Sequence, residues 1–110
     1  MIILPDKSNP NSLQAVDLKY SFPPYTNLKA HKKRGPVIID RGEGIYVYDD
    51  QGKEYIEALS GLWCVALGYG EERLVQAAAS QMRKLAYYHS FAHKANVPSI
   101  ELAERLVKMA

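Results

Sequence analysis

The sequence is short of most features that announce chemistry. It carries one cysteine, Cys64. That excludes an internal disulfide and a thiolate metal cluster, and it suits a reducing compartment such as the cytoplasm. No apolar run approaches a membrane span, and Met1-Ile2-Ile3-Leu4-Pro5 is too short for a secretory signal. Neither sign of charge dominates: 14 Lys and Arg against 12 Asp and Glu leave +2. This is too little to point to nucleic acid. The tightest basic run, Lys29 to Arg34, reads as a solvated loop, with phosphate contact as the alternative.

The usual catalytic patterns are missing too. Gly42-Glu43-Gly44 runs into a strand and lacks the third glycine of a dinucleotide fingerprint. Ser60-Gly61 lacks the frame of a nucleophile elbow. His89 and His93 stand at a spacing that could hold zinc on a helix. However, the aromatic run Tyr87-Tyr88-His89-Ser90-Phe91 does not read as helical, and no acidic third ligand lies near. Cys64 lies between Trp63 and Val65, so burial and inertness are expected of it. No catalytic residue and no metal site are expected.

What is present is core-forming material: 47% of the 110 residues are hydrophobic, enough for one small domain. Residues 1–20 read as an N-terminal arm, irregular from Asp6 to Ser12, with a short helix possible from Asn11 to Tyr20. Ser21 to Thr26 should be extended, because Pro23 and Pro24 remove two donors and restrict the residues before them. Phe22 and Tyr25 on this stiff segment are core staples or pocket lining.

Three strands follow, Val37–Arg41, Ile45–Asp49 and Glu54–Leu59. Gly42-Glu43-Gly44 joins the first two and Asp50-Gln51-Gly52 the last two. A glycine-rich apolar crossover, Leu59 to Gly70, comes next and holds the only tryptophan, Trp63. It is either a buried connection or a pocket wall with Leu62 and Trp63 facing a ligand. The period then becomes helical. Leu74, Ala78, Met82 and Leu85 share one face, and a second helix from Val97-Pro98 turns Ala103, Leu106 and Val107 inward. The fold class expected is α+β: a three-stranded antiparallel meander, the crossover and two amphipathic helices. The lack of a C-cap glycine or a following strand after Met109 suggests a truncated domain.

Several blocks taken in order carry a resemblance. They are Pro24-Tyr25-Thr26-Asn27, Gly42 to Ala58 with its Asp49-Asp50-Gln51-Gly52 turn, Ser60-Gly61-Leu62-Trp63, Tyr88-His89-Ser90-Phe91, and Ile100 to Leu106. Together they resemble the N-terminal part of a class III aminotransferase, and within that class the ω-amino acid and amine:pyruvate branch. The likeness covers roughly residues 20–108. It implies a dimeric pyridoxal-phosphate enzyme of fold type I with active sites at the subunit interface. It implies that residues 21–110 form the small-domain sheet and the start of the large-domain region.

By the same resemblance, Tyr25, Leu62, Trp63 and Phe91 match positions that line the substrate pocket, Phe91 reaching it across the dimer interface. The family's Schiff-base lysine, the aspartate that pairs with the pyridine nitrogen, and the phosphate-holding Gly-Ser loop all lie downstream of the matched segment. The chain therefore looks like the first segment of a longer enzyme, not competent alone, whose partner is a second copy or the missing C-terminal portion. The alternative is a non-catalytic α+β interaction module that associates through its apolar Trp63 and Tyr87 surface. A small nucleic-acid binder ranks last.

Overall fold

Short polar side chains start the helices. Ser12 opens α1 (Leu13–Tyr20) by accepting from the Ala15 N–H at 3.2 Å. Asn27 opens α2 (Leu28–Arg34) by accepting from Ala30 at 3.0 Å. The structure, a computed structural model, describes residues 9–110, and the chain divides into two compact units, Met1–Gly70 and Glu71–Ala110. The expected irregular arm falls in part on residues 1–8, which lie outside the described residues. The short helix expected within Asn11–Tyr20 is present as α1.

The basic run is a correction: Lys29 to Arg34 is helical. The Asn27 cap supplies the start, and His31, Lys32, Lys33 and Arg34 crowd the last turn, where cations favour the negative end of the dipole. The Pro-Pro segment is also corrected. Pro24 and Tyr25 form a turn, with Tyr25 at φ +49° and the Thr26 hydroxyl donating to the Pro24 carbonyl at 2.8 Å.

The sheet is the expected antiparallel meander, in the order β1 (Ile39–Glu43), β2 (Tyr46–Asp49) and β3 (Glu54–Ile56). Its boundaries shift. The pairing of Glu43 with Tyr46 leaves Gly44-Ile45 as the link between the first two strands, and a register irregularity lies between Ile39 and Arg41. Gly42 and Glu43, expected in the connection, belong to β1. The third strand stops at Ile56 because Glu57 makes the last contact, donating to the Ile45 carbonyl at 2.9 Å. The Glu57 carboxylate then accepts from the Leu59 N–H at 2.7 Å and turns the chain away. Among the described residues, Val47 on the central strand is the buried hydrophobic side chain.

Asp49 organises the β2–β3 turn. Its carboxylate accepts from the Gln51 and Lys53 amides at 3.0 and 2.9 Å and from the Tyr55 hydroxyl at 2.8 Å. Gly52 takes the φ +79° this loop needs. Across the strands, the Arg41 guanidinium lies 3.4 Å from the centre of the Tyr48 ring. The Tyr48 hydroxyl donates to Glu54 at 2.8 Å, which raises its pKa above the ordinary value. Buried Gln14 on α1 donates to Asp50 at 2.6 Å, and His31 lies 3.2 Å from Asp17, so both helices are tied within the first unit.

In the second unit, Glu71 caps α4 (Glu72–Leu85), and Asn96 caps α5 (Val97–Met109), with Pro98 in the first turn. A hydrogen bond from Arg73 at 2.7 Å holds the Glu71 carboxyl below its ordinary pKa. Neither helix contains a buried residue. Leu74, Met82 and Leu85, which share one face of α4, and Leu106 and Val107, expected inward on α5, are exposed, because no described part of the unit covers these stripes.

Desolvation works to raise the Asp49 pKa, but the bonds from Lys53, Tyr55 and Gln51 outweigh it and hold the carboxyl below its ordinary value. The folded chain thus binds this proton less tightly than the unfolded chain. The turn's contribution is full above the unfolded-state pKa of about 3.9 and is lost as pH falls through the lower folded-state value. The amide signals of Gly52 and Lys53, followed by NMR down an acid titration, should fade in that window. Asp49→Asn should weaken the turn at neutral pH and remove its own share of the acid loss.

Candidate functional site

The crossover leaves β3 and folds into a single turn, α3 (Ser60–Trp63), of the wrong hand. Ser60, Gly61, Leu62 and Trp63 have φ of +52°, +58°, +62° and +67°, and ψ is +37° and +57° at Gly61 and Leu62. This is left-handed helix. Each side-chain-bearing residue in it costs roughly 1–2 kcal/mol. Such strain persists only where the surroundings over-determine it, and it gathers at binding and catalytic sites.

Hydrogen bonds supply part of that determination. Trp63 donates to the Leu59 carbonyl at 3.0 Å, and Cys64 and Val65 both donate to the Ser60 carbonyl at 2.9 Å. Tyr69 supplies the rest. Its backbone and that of Gly44 exchange two bonds, Gly44 N–H to Tyr69 at 2.9 Å and Tyr69 N–H to Gly44 at 2.8 Å. Its ring lies on Gly42, where a Cβ would stand 2.5 Å from Cγ. Its hydroxyl reaches Gly61, where a Cβ would stand 3.0 Å from it. Gly68 is pressed on the Gly44 carbonyl, 2.9 Å from where its own Cβ would be. A cleft of about 440 Å³ opens between this segment and the sheet, lined by Ile45, Glu57, Ser60, Val65, Leu67 and Tyr69 among others.

The side chains this turn presents are Leu62, 60% exposed, and Trp63, 82% exposed. The turn therefore brings together two of the four expected pocket residues. Tyr25 is fully exposed in the same unit, at its own positive-φ position. Phe91 lies in the second unit and is 70% exposed. The His89 ring is stacked between Tyr88 (centroids 4.7 Å) and Phe91 (4.1 Å), and its buried Nδ1 has no hydrogen-bond partner. Ala92 and His93 follow with φ of +54° and +61°. His93 is therefore not on a helix with His89. Among the described residues, the side-chain-bearing ones with positive φ thus fall at or beside all four expected positions: at Tyr25, across Ser60–Trp63, and directly after Phe91.

Cys64 is corrected. It is exposed, its thiol donating to the Leu62 carbonyl at 3.4 Å, because the left-handed turn carries it out of the apolar company its neighbours suggested. Tyr69 and Gly42 are contributors that the sequence reading passed over. The available signal was the triplet Gly68-Tyr69-Gly70, a large ring between two residues that let the backbone approach. A second cleft at the β2–β3 turn, lined by Gln14, Asp49, Asp50, Lys53 and Tyr55, is occupied by the structural bonds already described.

Comparison with known proteins bears on this arrangement. The class III aminotransferase family model matches residues 28–110. The putrescine–pyruvate aminotransferase of Pseudomonas aeruginosa is 42% identical over 97 residues, 88% of this chain and 21% of that protein. The crystal structure of the ω transaminase from Pseudomonas jessenii in complex with PMP superposes with a TM-score of 0.87 at 57% identity. The match covers 91% of this chain and 22% of that one. A thermostable ω transaminase variant engineered for asymmetric synthesis of enantiopure bulky amines matches with a TM-score of 0.86 at 56% identity, over 90% of this chain and 22% of its own. The chain spans about a fifth of the length of the curated relatives it matches.

The hand of α3 makes an unusual stability prediction. Leu62→Gly should stabilise the first unit slightly, by about 0.5 kcal/mol or less, because the left-handed penalty of roughly 1–2 kcal/mol that it releases is largely offset by glycine's greater freedom in the unfolded chain and by the lost contacts of a side chain that is 60% exposed. Gly61→Ala should destabilise it by at least about 1 kcal/mol. Denaturant midpoints of the two variants against the parent chain check both signs.

Proposed function

The chain belongs to the class III aminotransferase family, and we propose that it forms the N-terminal segment of an enzyme that moves an amino group from an ω-amino acid or amine to a keto acid such as pyruvate. The observation that carries this reading is the left-handed turn that presents Leu62 and Trp63, in a chain that matches ω transaminases along most of its length. In this assignment, residues 1–20 are an arm. Residues 21–110 supply the small-domain sheet and the start of the large-domain region. Tyr25, Leu62, Trp63 and Phe91 are walls of the substrate pocket, with Phe91 contributed across a dimer interface. Apolar and aromatic walls suit the alkyl or aryl part of an amine. The engineered bulky-amine variant supports the assignment: it is changed at a tryptophan and a phenylalanine with the same sequence separation as Trp63 and Phe91.

Class III aminotransferases use pyridoxal phosphate. The described residues offer that group no covalent seat. Every described lysine is exposed, and Lys53, the one nearest the sheet turn, rests its ammonium 4.8 Å from the Tyr55 ring centre. A Schiff-base amine needs desolvation or a neighbouring cation to be nucleophilic at neutral pH, so in this reading the covalent chemistry is not assigned to any described lysine. The exposed stripes of α4 and α5 are, in this reading, surface for the rest of the enzyme or a second subunit. In the alternative, non-catalytic reading they serve an unrelated partner. No described helix is long and apolar enough to cross a membrane. The proposed location is the cytoplasm, on the strength of the single cysteine.

A chimera tests the assignment. This chain replaces its counterpart in the P. jessenii ω transaminase, and transfer from an amine to pyruvate is measured. Retained transfer, with Trp63→Ala raising kcat/KM for bulky over small amines, supports the reading. A chimera that folds and binds the cofactor but transfers nothing overturns it. Borohydride reduction of the isolated chain with pyridoxal phosphate should show scattered lysine labelling by intact mass, with no single preferred adduct.

A further inference from the structure

The strained turn and the sheet are joined by one side chain. We propose that Tyr69 is a positioning residue that sets substrate size selection, its ring wedged between Gly42 of β1 and Gly61 of the left-handed turn so that Trp63 is held at a fixed place. This deepens the assignment of Trp63 as a pocket wall and rests on it.

Three observations converge. The Tyr69 ring occupies the space a Cβ on Gly42 would need, with Cγ, Cδ1 and Cβ all within 2.9 Å of that point. Its hydroxyl stands against Gly61, the residue about which the turn winds. Its backbone is fixed to Gly44 by the two reciprocal hydrogen bonds, so the ring cannot retreat along the chain. A ring fixed at its base, backed by a strand and capped by the turn, can act as a spacer. Without the spacer, Ser60, Leu62 and Trp63 can relax toward negative φ, since that relaxation releases the left-handed penalty at each. Trp63 then has no single place, and a wall without a fixed place no longer excludes a bulky substituent. Tyr69 touches no reacting atom in this scheme. It acts through Trp63.

The experiment uses the chimeric holoenzyme and three substitutions. Tyr69→Leu removes the ring, Gly42→Ala displaces it from the other side, and Tyr69→Phe keeps the ring on Gly42 while removing the hydroxyl that meets Gly61. The readout is kcat/KM for a bulky arylalkyl amine divided by that for a small aliphatic amine. Tyr69→Leu and Gly42→Ala should each raise the ratio about tenfold, while Tyr69→Phe stays within about threefold of the parent. A parallel fall for both amines, with the ratio unchanged in the first two variants, is what a merely structural role gives, and it overturns the proposal.

A second arm uses the 110-residue chain itself. Left-handed residues show a strong NMR cross-relaxation between their own amide and α protons. These signals at Ser60, Leu62 and Trp63 should weaken most in Tyr69→Leu and Gly42→Ala and least in Tyr69→Phe, with the β2–β3 signals retained. Their persistence in all three variants overturns the wedge, whatever the chimera does. If they respond while the chimera shows no transfer in any form, the wedge stands and the pocket assignment falls.

Discussion

An aromatic ring laid on a strand glycine is the contact on which the first unit depends. Without Gly42 there is no room for Tyr69. Without Tyr69 the segment after β3 loses both the paired bonds to Gly44 and the ring that reaches from Gly42 to Gly61. The paired bonds between Gly44 and Tyr69 close the segment into a loop whose two ends sit on the sheet. Closing a loop of this size costs modest entropy, growing only with the logarithm of its length. What it secures is conformational: a stretch of Ser, Gly, Leu and Trp kept in a backbone region that isolated peptides leave almost empty. Gly42, Gly61 and Gly68 share that work: all three make space for a close approach, and Gly61 and Gly68 also take a positive φ.

The second unit is built differently. Its order comes from caps and local pairs: Asn96 on Ser99, Glu71 on Arg73, and Lys108 with Glu104 at 2.6 Å. Exposed pairs of this kind are worth only tenths of a kcal/mol each. Helices of such length draw most of their stability from the burial of an apolar face. The faces exist on α4 and α5, but no residue of either helix is buried, so that source is untapped within the described chain. The stacked run Tyr88, His89 and Phe91 is the most specific packing the unit has, and it backs the ring proposed to enter the pocket.

Much of this was legible in the residues. The meander followed from β-branched and aromatic alternation, and the Asp49–Gly52 turn from residues whose side chains and torsions suit a loop. Helix α4 followed from the spacing of Leu74, Ala78, Met82 and Leu85, and α5 from Val97-Pro98. The site residues came from resemblance and not from pattern. Composition could mark Leu59–Gly70 as unusual but could not choose between a buried connection and a wall. What stayed hidden was the handedness of Ser60–Trp63. A left-handed turn with one glycine among four residues has no periodic signature, because the cause is a tertiary contact with Tyr69 and not a local preference. The helix at Lys29–Arg34 is hidden for a simpler reason: a run of like charges reads as solvated loop, and its helical signal is the single Asn27 cap before it. The exposure of Cys64 is not legible because the left-handed turn separates it in space from its apolar neighbours in sequence.

The left-handed backbone also sets the alphabet available to the site. At Trp63 the torsional penalty is much the same for any unbranched side chain, smaller for asparagine, and absent for glycine, while valine, isoleucine and threonine meet it at its worst. With so little of Trp63 buried, exchanging it among the permitted residues leaves the fold nearly unburdened. Evolution, or a protein engineer, could therefore redraw this part of the molecule one letter at a time, choosing from a short list that the backbone wrote in advance.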